Sequence, residues 1–385
     1  MIREWRKKAH DLFLEKRGAL ALQELHPERA QLCDLKELSI ASEYAHSIVF
    51  VNGYFSPQLS MIPNDVICLP LDEAFRSYGL FLQNRWARSL ATENDSFALF
   101  NAAEHGKGAF VYVPPSIKAS LHIVHIFTTT TCSSPRLEIT LGKNAELALI
   151  QTIVSQESSF CCNGVMDLSL DMGSMVRFLT IQSLSSEAKL FSSLRATLKR
   201  DSKLETLTLT EGSAALRNRF FVELAEENSQ CSIKGLAMLT DKRSLKIDAF
   251  VEHAAPHCTS SQHFKTLLAK DSKANFEGNI YVRPIAQKTV AYQLNNCLHL
   301  SETAKSSAKP NLEIFADDVK ASHGATAVQL SSEELFYFRS RGLSVKEAKI
   351  LLAQGFCNEM IDAVPRDTLR HFIFDILDRV LHDAI

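Results

Sequence analysis

The sequence predicts a mainly β protein, a long run of short strands flanked by helical regions, and three observations carry that prediction. From about residue 96 to 330 apolar residues recur at every second position, as in Leu137, Ile139, Leu141, then Leu245, Ile247, Ala249, Val251, then Phe276, Gly278, Ile280, Val282. That is the period of a half-buried strand. Polar clusters such as LGKN, DMGS, KRDSK, EENSQ, TDKR, HAAPH and AKDSK punctuate the run at intervals of roughly 10–16 residues, the spacing of many short strands. On both sides the apolar period lengthens to that of a helix.

The first region, residues 1–95, opens with Trp5, Ala9, Leu12 and Phe13 at three- and four-residue intervals, which predicts an amphipathic helix. Short apolar runs such as HSIVFVNGYF and loops follow, so this part reads as an α-rich N-terminal domain. Glu4, Asp11 and Glu15 among the basic residues of MIREWRKKAHDLFLEKR suit neither a secretory signal nor a transit peptide. No apolar run approaches the roughly 18 residues of a membrane span, and a cytoplasmic location is expected.

The middle region, residues 96–330, reads as one large all-β domain. A sandwich and a solenoid of stacked coils both place strands and turns at near-constant intervals, so periodicity alone leaves the two open.

The last region, residues 331–385, is helical again. Ser331 with Glu334 and Ser344 with Glu347 have the spacing of capping boxes, and Gly342 closes the first helix between them. The second helix has an apolar stripe of Ala348, Leu351, Leu352, Phe356, Met360 and Ile361. A third begins after Pro365 with Leu369, Phe372, Ile373, Ile376, Leu377, Val380 and Leu381. So much apolar face in so short a segment must pack on the β region or on another protein.

Composition excludes several functions. The formal net charge of −2 over 385 residues, with the basic residues dispersed, offers no field for nucleic acid. Nine cysteines without CxxC or regular spacing spell neither a disulfide framework nor a zinc ribbon and read as reduced packing residues. LGKN has Leu137 and Asn144 where a phosphate-binding loop needs glycine and a hydroxyl residue, so the chain is no ATPase by that route. HAAPHCTSSQH clusters His253, His257, Cys258 and His263, yet Pro256 breaks any helix that would align the first two, and a structural turn is the expectation. Asp317 and Asp318 suggest the paired carboxylates of a glycosidase or a β-helical polysaccharide lyase, but neighbours on a strand face opposite ways. His323, followed by Gly324, is either a satisfied structural residue or a metal ligand or acid–base group.

The text KPNLEIFADDVKASHGAT, running on into LSSEELFYFRSRGLSVKEAKILLAQGFCNEMID, resembles the SufB/SufD family of iron–sulfur cluster assembly proteins, and within it the SufD branch most closely. The similarity extends upstream through HAAPHCTSSQHFKTLLAKDSKANFEGNIYVRPIAQKTVAYQLNN, covering about residues 245–365 strongly and the rest of the β region weakly. The N-terminal third departs from the family's usual text. The resemblance implies a right-handed parallel β-helix core with α-helical N- and C-terminal domains, and so selects the solenoid. It implies a non-catalytic scaffold subunit that pairs with SufB through the β-helix and binds the ATPase SufC through its C-terminal helices, with Phe336, Arg339, Arg341 and Gly342 in or beside the SufC contact. Without SufB, a homodimer is the alternative assembly. It also implies that His323 lies at the subunit interface as a ligand for iron or a transient iron–sulfur cluster, with none held stably by the chain alone. Cys297 aligns less well with the sister subunit's thiolate than Asn295 does, which leaves it to core packing, and Ala321 stands where many members have a cysteine. A SufB-type scaffold is the alternative within the family, disfavoured because Gly324 replaces a glutamate.

Overall fold

A computed structural model describes residues 2–15, 45–155, 158–364 and 367–384. Cys33 and Pro365 lie outside them, as do residues 16–44 of the expected N-terminal domain. The described chain is mainly β, a parallel β-solenoid with helices before and after it. It forms two compact units, residues 1–176 with 188–197 and residues 177–187 with 198–385.

In the first unit α1 (Ile2–Glu15), α2 (Leu71–Ser77), α3 (Gly79–Thr92) and α4 (Ser96–Glu104) accompany β1 (Ser47–Val51), β2 (Tyr54–Phe55), β3 (Ile67–Pro70), β4 (Ala109–Val113), β5 (Lys118–Phe127), β6 (Cys132–Ser133), β7 (Arg136–Leu141), β8 (Glu146–Ser155) and β9 (Cys161–Leu170). The apolar run HSIVFVNGYF thus becomes β1 and β2. β1, β5 and β8 pair in parallel, and so do β4, β7 and β9, while β2 and β3 pair antiparallel to β1 and β4. From β4 onward, the short β6 apart, successive strands alternate between two sheets, which is how a chain winding in coils distributes them. α1 buries Ala9 and Phe13 against Leu90 of α3 and Leu99 and Ala102 of α4, and Trp5 lies 3.8 Å, centroid to centroid, from Trp86 of α3.

The alternation read on β7 places Leu137, Ile139 and Leu141 in the core, but their polar neighbours Arg136, Glu138 and Thr140 are buried too. The helices explain this: Trp86 Nε1 donates to Glu138 Oε1 at 2.9 Å and Arg85 reaches Thr140 Oγ1 at 3.2 Å, so α3 covers the outer face. Arg136 donates to Glu138 (3.0 Å) and to Asp167 of β9 (2.5 Å). Arg195, on β11 (Lys189–Leu198), donates to Asp167 (2.6 Å) and to Glu93 (2.9 Å). Burial on its own would raise Asp167, but Arg195 and Arg136 outweigh it and hold its carboxyl well below the usual range. Burial and the neighbouring Asp167 push Glu138 up to about 7.

In the second unit, after β10 (Met175–Gln182), the parallel ladder of β12 (Lys203–Thr210), β14 (Gln230–Leu239), β16 (Thr259–Leu268), β18 (Thr289–His299) and β20 (Val319–Gln329) forms one sheet. β13 (Ala215–Leu224), β15 (Ser244–His253), β17 (Lys273–Val282) and β19 (Lys305–Ile314) form the other. The polar clusters are the corners. Asp201, Asn228, Asp241, His257, Lys270 and Lys288 each adopt a left-handed conformation there, with φ between 52° and 61°. Asn and Asp tolerate that region because their short polar side chains bond locally, which is why turn text recurs. Inward positions of β15 (Leu245, Ile247, Ala249, Val251) and of β17 (Phe276, Ile280, Val282) are buried as the alternation requires.

α5 (Ser332–Ser340), α6 (Val345–Ile361) and α7 (Asp367–Ala384) end the unit. The Ser344–Glu347 box closes on both sides, whereas at α5 the structure shows the Ser331 half, accepting from the amides of Glu333 and Glu334. Gly342 follows α5 with φ +93°, as the capping text implies. The buried stripe of α6 differs from the expected one: Ala348, Ala353, Cys357, Met360 and Ile361 are inside, and Leu351 is exposed. The cause is docking on the sheet, where Lys265 of β16 donates to Phe356 O (3.0 Å) and pairs with Glu359 (2.6 Å). α7 buries Leu369, Ile373, Ile376, Leu377, Val380 and Leu381, and Arg379 is tied to Glu211 at 2.6 Å. Much of the helices' apolar face is therefore spent on the unit itself, and the large exposed aromatics of this segment are Phe336 and Tyr337 of α5.

Candidate functional site

The second unit's solenoid ends in an uncovered coil. β20 is the last strand of one sheet and β19 the last of the other, so each presents an edge of free backbone donors and acceptors. Pro310 sits within β19, a residue that strands accept at an edge because it lacks an amide hydrogen.

His323 lies on β20 in register with Gln293 of β18, which is in register with Gln262 of β16. The three occupy one inward row. Gln293 Nε2 donates to Gln262 Oε1 at 2.8 Å, and Gln293 is 2% exposed with its Oε1 unpartnered. Two residues on, Asn295 is 1% exposed, its Nδ2 donating to Cys297 Sγ at 3.6 Å and its Oδ1 unpartnered. His323 shares the row but is exposed, since no further coil among the described residues covers it. A pocket of about 340 Å³ includes Gln293, His323, His263, Tyr292 and Ser322 in its lining.

On β18 the usual polarity is inverted. Tyr292 and Leu294 are 46% and 38% exposed while Gln293 and Asn295 are buried. Buried amides with open acceptors cost free energy that a purely structural strand would avoid. The letters YQLN carry that inversion only once the inward face of the strand is known; counted as an ordinary alternation, they place the amides outside.

The backbone of Gly278 explains how the row fits. A Cβ there would lie 2.3 Å from Gln293 Nε2, so the facing strand must be bare at that point. Gly324 is tight for a different reason. Its φ is not positive; it lies on the outward row, where a Cβ would come within 3.2 Å of Leu294.

The other singled-out residues do separate things. His253 is buried and bonded to Ser260 Oγ at 2.8 Å, His257 forms a corner, and Cys258 is buried. His263 faces Glu359 at 3.6 Å, its ring held below the usual range by burial, against the opposing pull of that carboxylate. Asp317 and Asp318 lie after β19 has ended, and Asp318 pairs with Lys288 (3.3 Å). Cys297 is buried, and burial raises its thiol, against the pull of its hydrogen bonds. Of the cysteines read as packing residues, Cys162, Cys231, Cys258, Cys297 and Cys357 are buried, whereas Cys68, Cys132 and Cys161 are only partly so. Phe336, Arg339, Arg341 and Gly342 lie together on α5 and its C-terminal turn, Phe336 being 71% exposed and Arg341 stacked over Tyr337 at 5.3 Å.

Comparison with known proteins agrees with this architecture. The family model for SUF system FeS cluster assembly, SufBD core domain, matches residues 125–356. An iron–sulfur cluster assembly SufBD family protein of Synechocystis is 26% identical over 92% of this chain and 86% of its own length. The iron–sulfur cluster assembly protein SufD of Escherichia coli is 36% identical over 41% of this chain and 38% of its own, and SufB of Bacillus subtilis 20% identical over 85% and 71%. With the solenoid and this match spanning well over half of its length, the chain belongs to the SufBD family of iron–sulfur cluster assembly proteins.

Proposed function

We propose that this chain is a SufD-type scaffold subunit: it pairs with a SufB-type partner across the open coil of its second unit, carries the ATPase SufC on α5, and offers His323 to the iron or nascent cluster handled at that junction. The observation that carries the reading is the inward row Gln262–Gln293–His323, which runs through the core and emerges on the edge strand β20, at the end where β19 leaves the other sheet's edge unpaired as well. Edge pairing by a second solenoid would satisfy those backbones and enclose His323 without rebuilding either fold.

The imidazole suits an iron ligand, and the cluster is cargo rather than a resident group. Its two ring nitrogens can bind metal on one side and a carbonyl on the other, and the open Oε1 of Gln293 is one coil away. The chain itself then hydrolyses no ATP; SufC supplies that step, and a cytoplasmic location accompanies the role. The 36% identity to SufD over 159 residues supports the SufD branch for that segment. No helix among the described residues is long and apolar enough to cross a membrane.

Co-expression with SufB and SufC tests the assignment. A stable three-protein complex is expected from wild type, with SufB pairing lost when charged residues replace Ala325 and Ala327 on β20. Recovery of the chain as a homodimer with neither protein attached would overturn it.

A further inference from the structure

The first unit contains a pair of sulfurs that the cluster-assembly reading does not use. β6 and β9 run in parallel with Cys132 directly opposite Cys161. Such neighbours stand about 4.8 Å apart along the ladder, inside the roughly 4.4–6.8 Å separation that a disulfide spans. Their Sγ atoms are 2.6 Å apart, with Cys132 donating, and both residues are partly exposed. A cation bound by both would hold its sulfurs at about 2.3 Å each in tetrahedral geometry, wider than this pair allows. Lys189, first residue of β11, follows on the next coil, its amide donating to Phe160 O at 2.8 Å.

We propose that Cys132 and Cys161 form a dithiol that exchanges with low-molecular-weight disulfides of the glutathione type and closes into a disulfide between adjacent coils.

Cys161 is the attacking group. The bond from the Cys132 thiol and the Lys189 ammonium favour its thiolate against the opposing effect of burial, and Cys132 is held protonated chiefly by that same bond. The Cys161 thiolate attacks one sulfur of the small disulfide, forming a mixed disulfide and releasing one small thiolate. Cys132 then loses its proton to solvent and attacks Cys161 Sγ, and the second small thiolate leaves. Two electrons pass from the protein to the small disulfide, which departs as two thiols. Cys162, next in sequence, is buried and its thiol is raised by burial, so it takes no part.

The test is differential alkylation and peptide mass mapping of the full-length chain equilibrated in reduced-to-oxidised glutathione buffers. Cys132 and Cys161 should lose alkylation together and appear as one linked peptide pair, with Tm raised by roughly 5–15 °C because a loop between coils has been closed. Cys132→Ser should instead trap glutathione on Cys161, and Cys161→Ser should slow modification of Cys132 at least tenfold. Stable glutathionylation of wild type without linkage, pairing through Cys162, or no reaction at either thiol while the chain remains folded would each overturn the proposal. The wild-type mapping needs no variant, so a substitution that fails to fold does not prevent it from deciding between these outcomes.

Discussion

Gln293 and His323 are register partners on adjacent coils, yet Gln293 is buried and His323 is exposed. The row is the same; the stacking above it stops. An inward-facing imidazole that nothing of its own unit covers can be removed without opening a cavity, and that separates its contribution to function from its contribution to stability.

His323→Ala should therefore change stability by no more than about 0.5 kcal/mol while cluster assembly in a SufD-dependent assay falls sharply. His323→Cys should restore part of the assembly, since a thiolate can ligate iron, and His323→Asn should not. Thermal melts and iron and sulfide content of the purified complex decide it. A parallel loss of stability and activity in the alanine variant would mark the histidine as structural.

Gly278→Ala should destabilise the second unit by about 1–3 kcal/mol, because the added methyl would meet Gln293 Nε2 at 2.3 Å and Phe276 Cζ at 2.6 Å. Pairing it with Gln293→Ala should recover part of that loss, since one of the two clashes disappears. Denaturant unfolding of the four proteins of the cycle measures the coupling; strict additivity would show that the two residues do not share the space.

The buried network around Arg136 predicts a pH dependence with two opposite arms. Glu138 is raised from its ordinary 4.5 to about 7, so the folded state keeps a proton that the unfolded chain releases. Stability should fall as pH rises from about 4.5 to 7 on its account. Asp167 is lowered, so its contribution is present above the ordinary aspartate range and lost as pH falls through its folded value in acid. Glu138→Gln keeps the acceptor for Trp86 and should flatten the upper arm, whereas Asp167→Asn should cost about 3–5 kcal/mol near neutrality by removing the carboxylate charge that the buried Arg136 and Arg195 share. Chemical denaturation across pH 4–8 reads the Glu138 arm, and its extension into acid below 3.8, the ordinary aspartate value, reads the Asp167 arm.

Phe336→Asp with Arg341→Glu should lower SufC co-purification at least tenfold, with a Tm shift of no more than about 2 °C, since these side chains contact solvent and Tyr337 rather than the core. Point changes are the sharper probe here. Deleting residues 331–385 would also strip α6 and α7 from the sheet they cover. Undiminished SufC binding by the double variant would move the contact elsewhere.

What the sequence determined by itself was everything set by neighbours along the chain. The period of two follows from the pleat, the Asn and Asp corners from the left-handed turn each coil requires, the Ser344–Glu347 box from the bare amides of a helix start, and the SHGAT text carries the family resemblance. Tertiary structure decided whatever depends on the strand lying alongside. Glu138 and Arg136 are read as outward polar residues until α3 covers them. YQLN is an ordinary alternation until its register beside β16 and β20 turns the amides inward, and Cys132 and Cys161, well apart in the text, meet only because consecutive coils bring them level. Burial and register are relations between coils, and no window of local sequence contains both members of such a relation.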